Sequence, residues 1–127
     1  GGMRSAKLEE ALRREDQARA EVELTRQQIS QQTRAAWLAL QTAQARVAAL
    51  ADAVTASDAR LDATRLGREV GDRTTLDLLN AENDADAARL ALLQARTETL
   101  QNRLRLQALA GQLDEAQLQS VNALLQH

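Results

Sequence analysis

From Ser5 to Glu69 the chain offers its backbone no proline and a single glycine, Gly67. A stretch of about 65 residues without a stop signal reads as one helix, roughly 100 Å long at about 1.5 Å per residue. Few folds accommodate such a rod. The apolar positions confirm the period: Leu40, Ala43, Val47, Leu50, Val54, Ser57 and Leu61 follow one another in alternating steps of three and four, which is a heptad seam. Extended backwards, the same register meets Ala36, Thr33, Ile29, Arg26, Val22, Arg19, Glu15, Leu12 and Leu8. The seam is poorer in apolar residues there, so the first half needs partners beyond a simple two-stranded pairing. Ser5 is the candidate cap for the helix start.

One sharp break interrupts this pattern, at Val70-Gly71-Asp72-Arg73. Gly71 can take a left-handed backbone and close the first helix. Thr74 or Thr75 can cap the next, with Asp77 near its positive end. Spacing of three and four resumes through Leu76, Leu79, Asn83, Asp86, Leu90, Leu93, Thr97, Leu100 and Leu104. Gly111 marks a stop near Ala110. Asp114 with Gln117 resembles a capping box for a short third helix over about 114–125. The expected fold is therefore all-α: a long antiparallel coiled-coil hairpin with helices at about 5–69 and 75–110, a turn at 70–74, and the short C-terminal helix. All 127 residues form a single hairpin domain in this reading. The second helix covers half of the first, and about 30 residues of the first project with an uncovered apolar stripe.

Two features complicate a plain coiled coil. Asp86 and Thr97 fall on the second helix's predicted seam, where a buried, unpaired carboxylate would be costly, so either this face is open to solvent in the native assembly or the residues were introduced. Alanines crowd other faces, at 43, 45, 48, 49, 51, 53 and 56 on the first helix and at 81, 85, 88, 91 and 95 on the second. Small residues on several faces suit a helix that touches neighbours on two sides, as in a wall of parallel rods.

Composition narrows the function classes. Sixteen basic and eighteen acidic residues are interspersed, with net charge −2, so no clustered basic face for nucleic acid exists. Cysteine is absent, which removes disulfides and thiol chemistry. His127 is the one histidine, leaving a metal site without companions. No nucleophile–base set, phosphate loop or paired-carboxylate pocket is visible, so neither an enzyme nor a cofactor is expected. No apolar run approaches the roughly 18 residues of a membrane span, and the N-terminus lacks a signal-peptide pattern. Trp37 is expected to be a packing residue. Arg96, Arg103 and Arg105 read as a solvated face.

Four ordered stretches then carry a resemblance: GGM at the start, QQTRAAWLALQTA in the first helix, RLGREVGDRTTLDLLNAEND at the turn, and LQNRLRLQALAGQL after it. In this order they resemble the C-terminal half of TolC-type outer membrane efflux proteins. The turn, from Gly67 to Glu82, is the most specific of them. The resemblance implies a periplasmic segment of an outer membrane protein, one helical hairpin of the α-barrel tunnel used in multidrug efflux or type I secretion. It implies a homotrimeric parent working with a periplasmic adaptor protein and an inner-membrane transporter. GGM would be the exit from the barrel strands and the third helix part of a belt around the tunnel. Val70, Gly71 and Asp72 would match the adaptor-docking tip. Arg73, Asp77 and Asn80 would match residues that link helices or line the tunnel entrance, Asn80 standing where some members have a second acid.

The chain departs from the family pattern where aromatics are frequent: Arg68, Asp86, Thr97 and Thr99 occupy those places. Together with the polar seam positions this reads as surface modification of an excised hairpin, which without the strands and the other half does not conduct by itself. The uncovered stripe predicts that the isolated chain self-associates, for example as a dimeric four-helix bundle. The competing readings are the hairpin of a periplasmic adaptor, whose tip spacing of arginine, leucine and serine does not occur at this turn, and a structural or designed coiled coil unrelated to transport.

Overall fold

The computed structural model describes residues 2–125. The expectations for Gly1 and for His127 lie outside them. Two α-helices make up the described chain, α1 over Gly2–Glu69 (68 residues) and α2 over Thr75–Leu125 (51 residues). The all-α hairpin expected from the periodicity is what the chain forms. No helix among the described residues is long and apolar enough to cross a membrane.

Three boundaries differ from the sequence reading. Helix α1 already includes Gly2 and Met3, so Ser5 is not its cap. Gly111 does not end α2, and the third helix over 114–125 is the continuation of α2. A helical glycine costs only about 1 kcal/mol relative to alanine, and apolar packing on both sides of Gly111, at Leu109 before it and at Leu113 and Ala116 after it, carries the helix through. The longer α2 also covers more of α1. The uncovered portion shrinks from about 30 residues to residues 2–18, all of which are exposed.

The hairpin divides into two compact units. In one, residues 38–104, α1 contributes Leu40, Ala43, Val47, Leu50, Val54, Leu61 and Thr64 to the interior. This is the seam the periodicity predicts. Thr64 is tolerated in it because its hydroxyl donates to the Arg60 carbonyl one turn back, at 2.7 Å. Across from it, α2 turns inward Leu78, Ala81, Ala85, Ala88, Leu92 and Ala95. Leu61 packs with Ala81, Ala85 and Leu78. Most of the bulk comes from α1 and most of the space from the alanines of α2. Two cross-helix ion pairs flank this core, Arg60 with Asp84 at 2.8 Å and Arg89 with Asp58.

The α2 seam therefore lies on a different face from the one expected. Leu76, Leu79, Asn83, Asp86, Leu90, Leu93, Thr97, Leu100 and Leu104 are all exposed. The leucines were the larger apolar signal, yet α1 already fills the interior with large side chains, and alanine is what fits opposite them. Asp86 is consequently no buried carboxylate. It lies in solvent, 3.9 Å from Arg89, and Thr97 is exposed too, its hydroxyl donating to the Leu93 carbonyl at 3.0 Å.

The other unit joins residues 1–37 with 105–127. Its described interior holds Ala36, Leu109 and Ala116, with Val22, Ile29, Thr33, Leu106, Leu113 and Ala123 half-buried. Arg26 sits on the seam and is neutralised locally, its guanidinium donating to both carboxylate oxygens of Glu23 at 3.0 and 2.6 Å. That contact holds the Glu23 carboxyl below its ordinary range. Trp37, expected as packing, is 52% exposed.

Candidate functional site at the interhelical turn

Helix α1 ends in a Schellman motif. The Asp72 N–H donates to the Gly67 carbonyl at 2.8 Å and the Gly71 N–H to the Arg68 carbonyl at 3.1 Å. These are the six-to-one and five-to-two bonds of that cap. Its left-handed position is Gly71, with φ of +85°, where a side chain would strain the backbone. The Gly67 carbonyl accepts a second bond, from the Arg73 N–H at 3.1 Å.

Helix α2 begins with a reciprocal cap. The Asp77 N–H donates to Thr74 Oγ1 at 3.1 Å, and the Thr74 N–H donates to Asp77 Oδ2 at 2.9 Å. Of the two threonines it is Thr74 that caps, with Asp77 in the place a capping box gives to glutamate. The hydrogen bond from the Thr74 backbone, then that from its side chain, holds the Asp77 carboxyl below its ordinary range, with a smaller contribution from the Arg73 charge. Between the two caps only Asp72 and Arg73 remain. The turn is closed by its own hydrogen bonds and leaves its side chains to the outside.

Val70, Gly71, Asp72 and Arg73 are exposed together on this turn, Val70 at 65%. Asp77 is brought beside them but is engaged as a cap. Asn80, one turn further along α2, is exposed and not part of the hydrogen-bonded turn. Arg73 makes no ion pair among the described residues. Two residues of the turn escaped the sequence reading in their actual roles. Gly67 was read as an interruption in α1 and as the start of the turn motif, not as the carbonyl that accepts from Asp72 and Arg73, and the choice between Thr74 and Thr75 was open. The signal for Gly67 was its spacing, two residues before the C-terminal end of α1 and six before an arginine.

Other concave surfaces are shallow. An open groove of about 480 Å³ in the 38–104 unit is lined by Asp58, Leu61, Asp62, Arg65, Glu82, Asp86 and Arg89. Its charges are largely satisfied by one another: Arg89 meets Asp58 and Asp86, and Arg65 meets Asp62 at 3.5 Å. No group of acidic or histidine side chains among the described residues is arranged to hold a metal ion.

Residues 1–112 match the sequence profile described as outer membrane efflux protein. Among curated proteins, the chain is 40% identical over 100 residues to the outer membrane efflux protein BepC of Brucella suis, covering 79% of this chain and 22% of that protein. It is 28% identical over 122 residues to the outer membrane protein TolC of Escherichia coli, covering 96% of this chain and 25% of that one. The chain thus spans about a quarter of the length of these relatives. No solved structure matches it.

Proposed function

The chain belongs to the outer membrane efflux protein family, and from that premise we propose that it is a helical hairpin of the periplasmic α-barrel of a TolC-like channel, with the 70–74 turn at the tunnel mouth. It is part of an efflux channel, a family whose work is transport and not catalysis.

The observation that carries the reading is the double apolar character of α2. Its alanine face is taken up by α1, while Leu76, Leu79, Leu90, Leu93, Leu100 and Leu104 stand exposed along another face. A soluble two-helix rod has no use for that stripe, and an exposed apolar surface of this kind marks a contact. A helix that packs on two sides is what a closed wall of helices requires. In the assembled parent, a homotrimer in this reading, the stripe is covered by a neighbouring hairpin. In the isolated chain it drives self-association, which light scattering would register as a mass above the 13.9 kDa of one chain. A monomer at high concentration would count against a contact role for the stripe.

The turn supports the location at the mouth. Val70, Gly71 and Asp72 form the proposed docking surface for a periplasmic adaptor that connects the channel to an inner-membrane transporter. Arg73 is the proposed link to a carboxylate on a neighbouring helix. Asp77 and Asn80 line the entrance beside it, with Asp77 holding the turn's shape through its cap. Opening and closing would be a shift between two packings of the mouth, biased by the adaptor. The test belongs in a full-length channel carrying this hairpin. Val70→Arg adds bulk and charge at an exposed site without touching either cap, and is expected to abolish adaptor cross-linking and export while the trimer persists. Wild-type cross-linking and export in that variant would overturn the docking assignment.

A further inference from the structure

Gly67 lies in the last turns of α1, half-buried, and the space where its side chain would be is occupied. A Cβ built there would stand 2.6 Å from Arg73 Cγ, 3.5 Å from its Cβ and 3.8 Å from its Cδ. The first distance is well inside van der Waals contact, and Cγ is the root of the arginine side chain rather than its flexible end. In Schellman caps an apolar residue after the turn usually packs back on the helix. Here the residue after the turn is Asp72, and the methylenes of Arg73 take the position over the bare backbone of Gly67. The Gly67 carbonyl holds Arg73 from the other side by accepting its N–H at 3.1 Å. By contrast, a Cβ at Gly111 would meet nothing within 4 Å.

We propose that Gly67 is a positioning residue for Arg73: its missing side chain makes a seat for the arginine stem, which presents the guanidinium ready-oriented to a carboxylate outside the hairpin. An arginine held this way gives up less freedom when it meets its partner, so the contact forms at lower entropic cost. The seat is a property of the turn alone. Its use for a neighbouring helix rests on the reading of the turn as the tunnel mouth.

The test compares Gly67→Ala in three backgrounds of the full 127-residue chain by urea unfolding. In an open helical position this change strengthens folding roughly two- to fivefold. With Arg73 present the conflict at Cγ is expected to cancel or reverse that gain. In the Arg73→Ala background the obstructing atoms are gone and the gain should appear. Arg73→Lys keeps Cγ and Cδ and should behave as the arginine does. Equal gains in all three backgrounds would overturn the seat.

A second readout follows the arginine directly. The Arg73 Nε–H should be ordered in ¹⁵N relaxation of the unmodified chain, and become as mobile as that of exposed Arg34 in Gly67→Ala. Mobility like that of Arg34 in the unmodified chain would also overturn the proposal. Gly67→Ala and Arg73→Ala in a full-length channel then separate the two layers. If the seat is present in the isolated chain but both channel variants close and export normally, the seat stands and the location at the mouth fails.

Discussion

The two apolar faces of α2 invert the usual ranking of hydrophobic residues. Ala85 is 1% exposed, whereas Leu90 and Leu93 on the other face are 57% and 61% exposed. Burying a leucine removes more apolar area from water than burying an alanine, so area alone would have turned the leucines inward. What decides the matter is the surface they would meet. Helix α1 fills much of the shared interior with Leu40, Leu50, Val54 and Leu61, and opposite them α2 supplies mostly alanine, with Leu78 and Leu92 the leucines it turns inward in the 38–104 unit. Alanine lets the two helices approach closely, and the leucines of the other face are left for a partner. A face chosen by fit and a face held in reserve should respond to mutation in opposite ways.

The largest response is expected at the inner face. Ala85→Leu puts a large side chain where there is no room, and should destabilise the hairpin by about 1–3 kcal/mol, measured by urea unfolding. A neutral result would mean that α2 can rotate to bury its leucines, and the distinction between the faces would dissolve. Thr74→Ala tests the device that sets the rotation of α2 as it leaves the turn. Losing the cap should cost about 1 kcal/mol. Gly111→Ala, at an exposed and open position, should stabilise by about 0.5–1 kcal/mol.

Leu93→Gln on the outer face should change folding by no more than about 0.5 kcal/mol. It should nonetheless weaken self-association in light scattering, which separates the two faces most cleanly. The subtlest effect is one of pH. The Asp77 carboxyl is depressed in the folded chain, so its contribution is present above its unfolded value of about 3.9. It is lost as pH falls through the lower folded value. The stability gap between the native chain and Asp77→Ala should therefore be full at neutral pH and close in acid. A gap that does not change with pH would mean that the carboxylate charge is not what caps the helix.

These contrasts also mark what could be read from residues alone. The seam of α1 was legible from Leu40 to Leu61 because leucine and valine repeat there at heptad spacing, and from Arg19 to Ala36 because the same register carries back through Val22 and Ile29. The turn was legible because Gly71, Thr74 and Asp77 are residues whose chemistry suits a cap. The seam of α2 was not, since alanine is weakly apolar and common on every face, and only the identity of the opposing side chains says which alanines go inside. Gly111 looked like a stop because a glycine's local cost is visible in a sequence and the packing that overrides it is not. Of the candidate site, Val70 to Arg73 could be grouped by adjacency. The contact between Gly67 and Arg73 could not, since it depends on how the chain doubles back.

The turn, with its two caps and two intervening residues, fixes the starting point from which both helices count their heptads. In the unit next to it, a residue added to one helix alone would carry every later alanine away from the side chain it was sized for. Length variation among hairpins of this design should therefore come in matched pairs, seven residues on the ascending helix and seven at the same level on the descending one. The turn would then be the one segment whose length does not vary.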